Sequence, residues 1–186
     1  GIPTEDEKEL ISFIGPPLKE SFKKGFGFDE TQADQAMIFF RERYSVKGLY
    51  ENELYEGTHE ILKMLKEQGR NIYLATSKPG PYATEILRHF EIIQYFDGIY
   101  GASMDEKLVV KADILAKAIE EENVDINESI MVGDRVHDIL GARKVGMDSV
   151  YLELGYADDQ EAEILTSAAT YKAKNMKELS RLFQEI

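Results

Sequence analysis

Between residues 72 and 173, short apolar runs rich in β-branched and aromatic residues alternate with stretches of helical periodicity. Ile72-Tyr73-Leu74-Ala75, Gly98-Ile99-Tyr100, Ile130-Met131-Val132, Ser149-Val150-Tyr151-Leu152 and Thr170-Tyr171-Lys172-Ala173 read as strands, the last at an edge. Ile61, Leu62 and Leu65 follow helical spacing, as do Ile114, Leu115, Ala118 and Ile119, and then Met176, Leu179 and Leu182. Strands alternating with helices predict an α/β fold whose parallel sheet is covered on both faces. Ligands of such sheets bind outside the carboxyl ends of the strands. Thr76-Ser77-Lys78 and Gly133-Asp134-Arg135, which follow two of the apolar runs, are therefore the first places to look for chemistry.

The chain ahead of that alternation reads as helices. Thr4 with Glu7 forms a capping-box pattern, and Leu10, Ile11 and Ile14 follow at helical spacing until Gly15-Pro16-Pro17. A short second helix holds Leu18 and Phe22 and ends near Gly25 and Gly27. Asp29 with Gln32 begins a third, along which Ala33, Ala36, Met37, Phe40 and Tyr44 make an apolar stripe. Residues 1–52 are thus expected to form a small helical cap domain and residues 53–186 the α/β core.

Charge and composition narrow the function classes. Of 186 residues, 35 are acidic and 22 basic, a net charge of −13, which argues against nucleic acid or an anionic membrane as the main partner. A small phosphorylated metabolite remains compatible if a metal and a few local cations offset the charge. There is no cysteine, so thiolate chemistry and disulfides are excluded, which fits a reducing cytoplasm. No apolar run approaches the roughly 18 residues of a membrane span. The sequence has no G-x-G-x-x-G after a strand, no Walker A loop, no H-E-x-x-H among its histidines and no G-x-S-x-G.

What remains is Gly133-Asp134-Arg135-Val136-His137-Asp138. Gly133 lets the backbone turn off the strand. If a helix starts at Asp134, the carboxylates of Asp134 and Asp138 share one helix face, and two hard oxygen donors suit Mg²⁺. The alternative is a helix-capping Asp134 and a solvated Asp138. The hydroxyl of Thr76 and a backbone N–H at Ser77 can hold phosphate oxygens, or Thr76 simply caps the next helix. Lys111 stands at a helix start, where it opposes the helix dipole. Either a carboxylate or an anion compensates it, or it is exposed. His59 and His89 read as helix-surface residues, and His137 as a neighbour of the acidic turn.

Taken in order, these pieces resemble the haloacid dehalogenase (HAD)-like hydrolase superfamily, in its phosphoglycolate phosphatase-like branch. Thr76 is similar to its second motif, Lys111 to its third, and Gly133 to Asp138 with Gly141-Ala142 to its fourth. Phe13-Ile14-Gly15-Pro16-Pro17-Leu18 resembles the stretch leading into the cap, and Gly57 with the following helix the return to the core. The resemblance spans essentially the whole chain. It implies a Rossmann-like core, a helical cap, and Mg²⁺-dependent hydrolysis of a small phosphate monoester such as phosphoglycolate through an aspartyl-phosphate. Carried over, Thr76 and Ser77 bind phosphoryl oxygens, Lys111 neutralises the nucleophile and phosphoryl group, and Asp134 and Asp138 are the metal ligands. The family's first motif, D-x-D-G-T, is missing, and no D-x-D occurs in the sequence. Its strand belongs between those ending at Ala75 and Gly133, so two inner strand edges are expected to lack partners. We expect a longer protein or a second chain to supply it, and this chain alone to be inactive. A non-catalytic phosphate- or metal-binding piece, a 5'-nucleotidase, a pyrophosphatase or a carbon–halogen hydrolase are the alternatives. A monomer and a homodimer are equally compatible.

Overall fold

The computed structural model describes residues 11, 13, 14, 16–105 and 107–186. The Thr4–Glu7 capping pattern and Leu10 lie outside the described residues. The chain divides into two compact units, Gly1–Asn52 and Glu53–Ile186.

In the first unit, α1 spans Leu18–Phe26 and α2 spans Glu30–Tyr44. Gly27, at φ 67°, ends α1 in the left-handed region, which glycine adopts without a Cβ penalty. Asp29 caps α2 reciprocally. Its Oδ1 accepts from the N–H of Gln32 at 2.8 Å, and its own N–H donates to Gln32 Oε1 at 3.0 Å. The Phe22 ring of α1 lies 5.9 Å from Phe13 and 6.2 Å from Phe26 on the same helix, and its contact with Phe40 at 6.5 Å joins α1 to α2. They are also joined by charge. Lys19 pairs with Glu30 and Asp34, and Lys23 with Glu20 and Glu30. Ala33 is buried, whereas Phe40 at the middle of the expected stripe is 37% exposed and Phe39 63%.

The second unit alternates as expected. α3 (Thr58–Glu67) leads to β1 (Tyr73–Pro79), α4 (Gly80–His89), β2 (Gly98–Ala102) and α5 (Lys111–Glu122). Then come β3 (Ile130–Gly133), α6 (Val136–Val145), β4 (Asp148–Leu152), α7 (Asp159–Ala168), β5 (Tyr171–Ala173) and α8 (Met176–Glu185). Every strand pair is parallel, in the orders β1-β2 and β3-β4-β5, with β5 at an edge. α7 has no counterpart in the sequence reading. Among the described residues, no helix is long and apolar enough to cross a membrane.

Among the described residues the strands form two sheets, interrupted between β1 and β3, where the resemblance puts one more strand. All of β1 and β3 is half-exposed, whereas β4 from Ser149 to Leu152 is buried. Side chains hold the two halves together. On α3 the adjacent residues Ile61 and Leu62 go to different cores: Ile61 packs with Val150, Leu152, Ala173, Leu179 and Phe183, and Leu62 with Leu87 and Ile92. Between Val150 and Leu152, Tyr151 turns the other way and packs with Ile139 and Leu165, so β4 is covered on both faces. α5 packs on both β1 and α6, which makes the second bridge between the halves.

Candidate active site

Lys111 is the first residue of α5, and only 8% of it is exposed. Its Nζ donates to the carbonyl of Ala75 on β1 at 2.7 Å and pairs with Asp138 Oδ1 on α6 at 2.9 Å. A buried ammonium needs a counter-charge and acceptors. Here a carboxylate from one half-sheet's flank and a carbonyl from the other supply them. An ammonium has three donors, so these two contacts leave one. Gly141 makes this approach possible, since a Cβ there would lie 2.9 Å from Lys111 Cγ.

The acidic turn differs from the sequence expectation in its geometry. α6 begins at Val136 with extended Arg135 (φ −119°, ψ 151°) before it, so Asp134 precedes the helix. The shared-helix-face argument for Asp134 and Asp138 therefore does not hold, and Asp134 is not the cap residue either. Asp138 is not solvated: it is 8% exposed and its Oδ2 accepts from the Arg135 N–H at 3.3 Å. The two carboxylates nonetheless sense each other. Burial first, and the charge of Asp138 second, push the Asp134 carboxyl above its ordinary range. Gly133 does not have a positive φ. It is required for space, because a Cβ there would meet Asp138 Cβ at 2.3 Å.

Thr76 and Ser77 lie within β1, which continues to Pro79 through an irregular register between Thr76 and Pro79. The apolar run ends at Ala75, but the ladder does not, because backbone pairing with β2 carries the polar residues along. The Thr76 hydroxyl accepts from the Lys78 N–H at 3.1 Å, which leaves its own hydrogen to donate. Thr76 does not cap α4; Pro79 precedes that helix without a side-chain cap. Lys111 thus reaches the residue before Thr76 on one side and Asp138, whose charge acts on Asp134, on the other. His59, His89 and His137 are exposed. Lys19 and Lys23 are neutralised within the first unit. A cavity of about 320 Å³ beside Gly98, Tyr100, Lys117 and Glu121 contains none of the expected site residues.

The donor set fits a hard divalent cation. Asp134 is half-buried, has no ion pair among the described residues, and is held above its ordinary pKa by burial and a neighbouring charge, which a cation would relieve. Among the described residues no cluster of three or more His, Asp or Glu could hold a metal. Mg²⁺ needs no such cluster, since it binds through one or two carboxylates, water and phosphate oxygens. Asp138 is engaged by Lys111, so Asp134 is the better-placed ligand.

Sequence reasoning missed Glu161 on α7. It receives Arg135 Nε at 3.0 Å, Arg135 Nη2 at 2.9 Å and the Val136 N–H at 2.8 Å. The signal was present: Asp158 accepts from the Glu161 N–H at 2.8 Å, an N-cap with an acidic residue three positions on.

The family model for haloacid dehalogenase-like hydrolases matches residues 1–152. A 5'-nucleotidase of Pseudomonas aeruginosa is 39% identical over 87% of this chain and 73% of its own length. The tyrosine-protein kinase PtkA of Mycobacterium tuberculosis is 36% identical over 91% of this chain, which spans only 60% of that protein. The crystal structure of a predicted phosphatase from Clostridium acetobutylicum superposes with a TM-score of 0.93 at 37% identity, covering 100% of this chain and 85% of that one. Pyrophosphatases and phosphoglycolate phosphatases match at 31% identity and below. The chain belongs to the haloacid dehalogenase-like hydrolase family.

Proposed function

We propose that this chain carries most of the site of a Mg²⁺-dependent phosphatase acting on a small phosphate monoester. The observation that carries the reading is the Lys111 ammonium, held at once by the Ala75 carbonyl and the Asp138 carboxylate. It puts a desolvated cation between β1 and the first turn of α6. In this reading the remaining Lys111 donor offsets charge on the phosphoryl group and on the attacking carboxylate. Thr76 donates its hydroxyl to a phosphoryl oxygen, and the Ser77 N–H adds a second donor. Asp134 would be the main protein ligand to the cation, and Asp138, which holds Lys111, would be a second or outer ligand. When bound, Mg²⁺ supplies Lewis-acid charge stabilisation at the phosphoryl oxygens. In this reading the attacking aspartate, which would form an aspartyl-phosphate, belongs to a D-x-D-G-T motif that does not occur in this sequence.

Phosphoglycolate and nucleoside monophosphates are both substrates in keeping with this site. The first rests on the resemblance to the phosphoglycolate phosphatase-like branch, which includes relatives of that name at 24% and 28% identity. The second has the greater support from identity, since the 39% relative is a 5'-nucleotidase. The test pairs this chain with the same chain carrying a D-x-D-G-T segment ahead of Gly1, each given Mg²⁺ and an aryl phosphate, then phosphoglycolate and nucleoside monophosphates. We expect turnover only in the extended protein, abolished by Asp134→Asn. Activity indifferent to Asp134→Asn contradicts the reading. Phosphate and Mg²⁺ binding without turnover in both proteins favours a non-catalytic binding role, which the lack of any D-x-D in the chain also favours.

A further inference from the structure

We infer that the segment following β4 is a positioning element for the proposed cation site, with Gly155 standing against the Asp134 side chain and Glu161 tying down the two residues that follow Asp134. The inference rests on the functional reading above and goes beyond it, because neither residue belongs to the motifs that suggested that reading.

Asp134 sits in the turn between β3 and α6, with no helical hydrogen bonding of its own to hold it. The two residues after it are tied to α7 instead. One Glu161 oxygen accepts from both Arg135 Nε at 3.0 Å and the Val136 N–H at 2.8 Å, while the other faces Arg135 Nη2 at 2.9 Å. The pair is 14% and 13% exposed at its side chains, so solvent screens it little. A bidentate guanidinium–carboxylate contact fixes orientation as well as distance. The added bond to Val136 N–H makes Glu161 a constraint on backbone, not on a flexible side chain alone.

Gly155 closes the other side. A Cβ on it would lie 1.8 Å from Asp134 Oδ2, 2.4 Å from Cγ and 2.5 Å from Cβ. Its backbone therefore stands directly against the Asp134 side chain. Gly155 and Glu161 are six positions apart in one segment, so a single connection after β4 both ties the turn and limits where the carboxylate can go.

Mn²⁺ binding to the full chain, followed by electron paramagnetic resonance, tests this. Titrations are run well below the unfolding transition of each variant, with folding checked by circular dichroism. We expect the wild type to bind one Mn²⁺ that Asp134→Asn abolishes. Glu161→Gln and Gly155→Ala should each weaken the dissociation constant on the order of tenfold, as loss of a ligand's supporting contacts does. Glu85→Gln, which alters an exposed pair with Arg88, should leave it unchanged. A folded Glu161→Gln protein with the wild-type constant overturns the inference while leaving the site reading intact. Wild-type Mn²⁺ binding that survives Asp134→Asn overturns the site reading, and the inference with it.

Discussion

Replacing Lys111 by Met removes one charge and keeps the length of the stem, so it isolates the ion pair. In the wild type the Lys111–Asp138 contact is 2.9 Å long, with side chains 7% and 11% exposed. Met cannot donate to Asp138 or to the Ala75 carbonyl, which now receives 2.7 Å from Nζ. Removing one partner of a buried pair strands the other charge and costs about 3–5 kcal/mol. For a chain of this size each kcal/mol moves the melting temperature by about 2–4 °C, so the expected fall is about 6–20 °C. Urea unfolding followed by far-ultraviolet circular dichroism at pH 7 gives the free energy directly. The double variant Lys111→Met/Asp138→Asn should recover part of the loss, giving a coupling of the two single changes well above zero. A Lys111→Met protein within about 1 kcal/mol of wild type, with no coupling to Asp138, would refute the claim that this contact joins the two half-sheets.

Further expectations follow from individual contacts. Gly141→Ala drives a methyl to within 2.9 Å of Lys111 Cγ and should cost about 1–3 kcal/mol in a denaturant titration, with α5 displaced from α6. Asp134→Asn should stabilise the metal-free protein at neutral pH: the native carboxyl binds its proton more tightly than the unfolded one, so native stability falls as pH rises above the ordinary value of 3.8, and Asn removes that loss. The difference in urea midpoint between variant and wild type should close as pH drops below 3.8. Leu165→Ala, at a side chain with 0% exposure, should cost about 2–5 kcal/mol and loosen α7 in hydrogen exchange.

The order of strands and helices was legible because hydrophobic period reports burial, and the core elements are buried by their own side chains. Asp29 with Gln32 marked a helix start correctly because the capping bonds it makes are local. Three features escaped. The end of β1 was placed at Ala75 because apolar character stops there, whereas backbone pairing with β2 extends to Pro79. Helix α7 was missed because its apolar side is thin: Leu165 is buried, but Ile164 beside it is 47% exposed. The start of α6 was placed two residues early, because sequence spacing says nothing about the tie between Arg135 and Glu161, 26 positions apart. Lys111, Asp134 and Asp138 were each singled out from the chain as candidates, but how they are arranged could not be read from it. That Asp138 answers Lys111, while Asp134 keeps no ion pair among the described residues, depends on packing between helices distant in sequence.

Amide nuclear magnetic resonance spectra recorded with substoichiometric Mn²⁺ and inorganic phosphate test the central claim most directly, because paramagnetic broadening falls off steeply with distance from the ion. The account predicts broadening centred on residues 133–138 and 154–156, extending to Thr76 and Ser77, and lost in Asp134→Asn. Broadening centred on another acidic surface, such as that around Glu121 and Glu122, with the Gly133–Asp138 turn untouched, would contradict it.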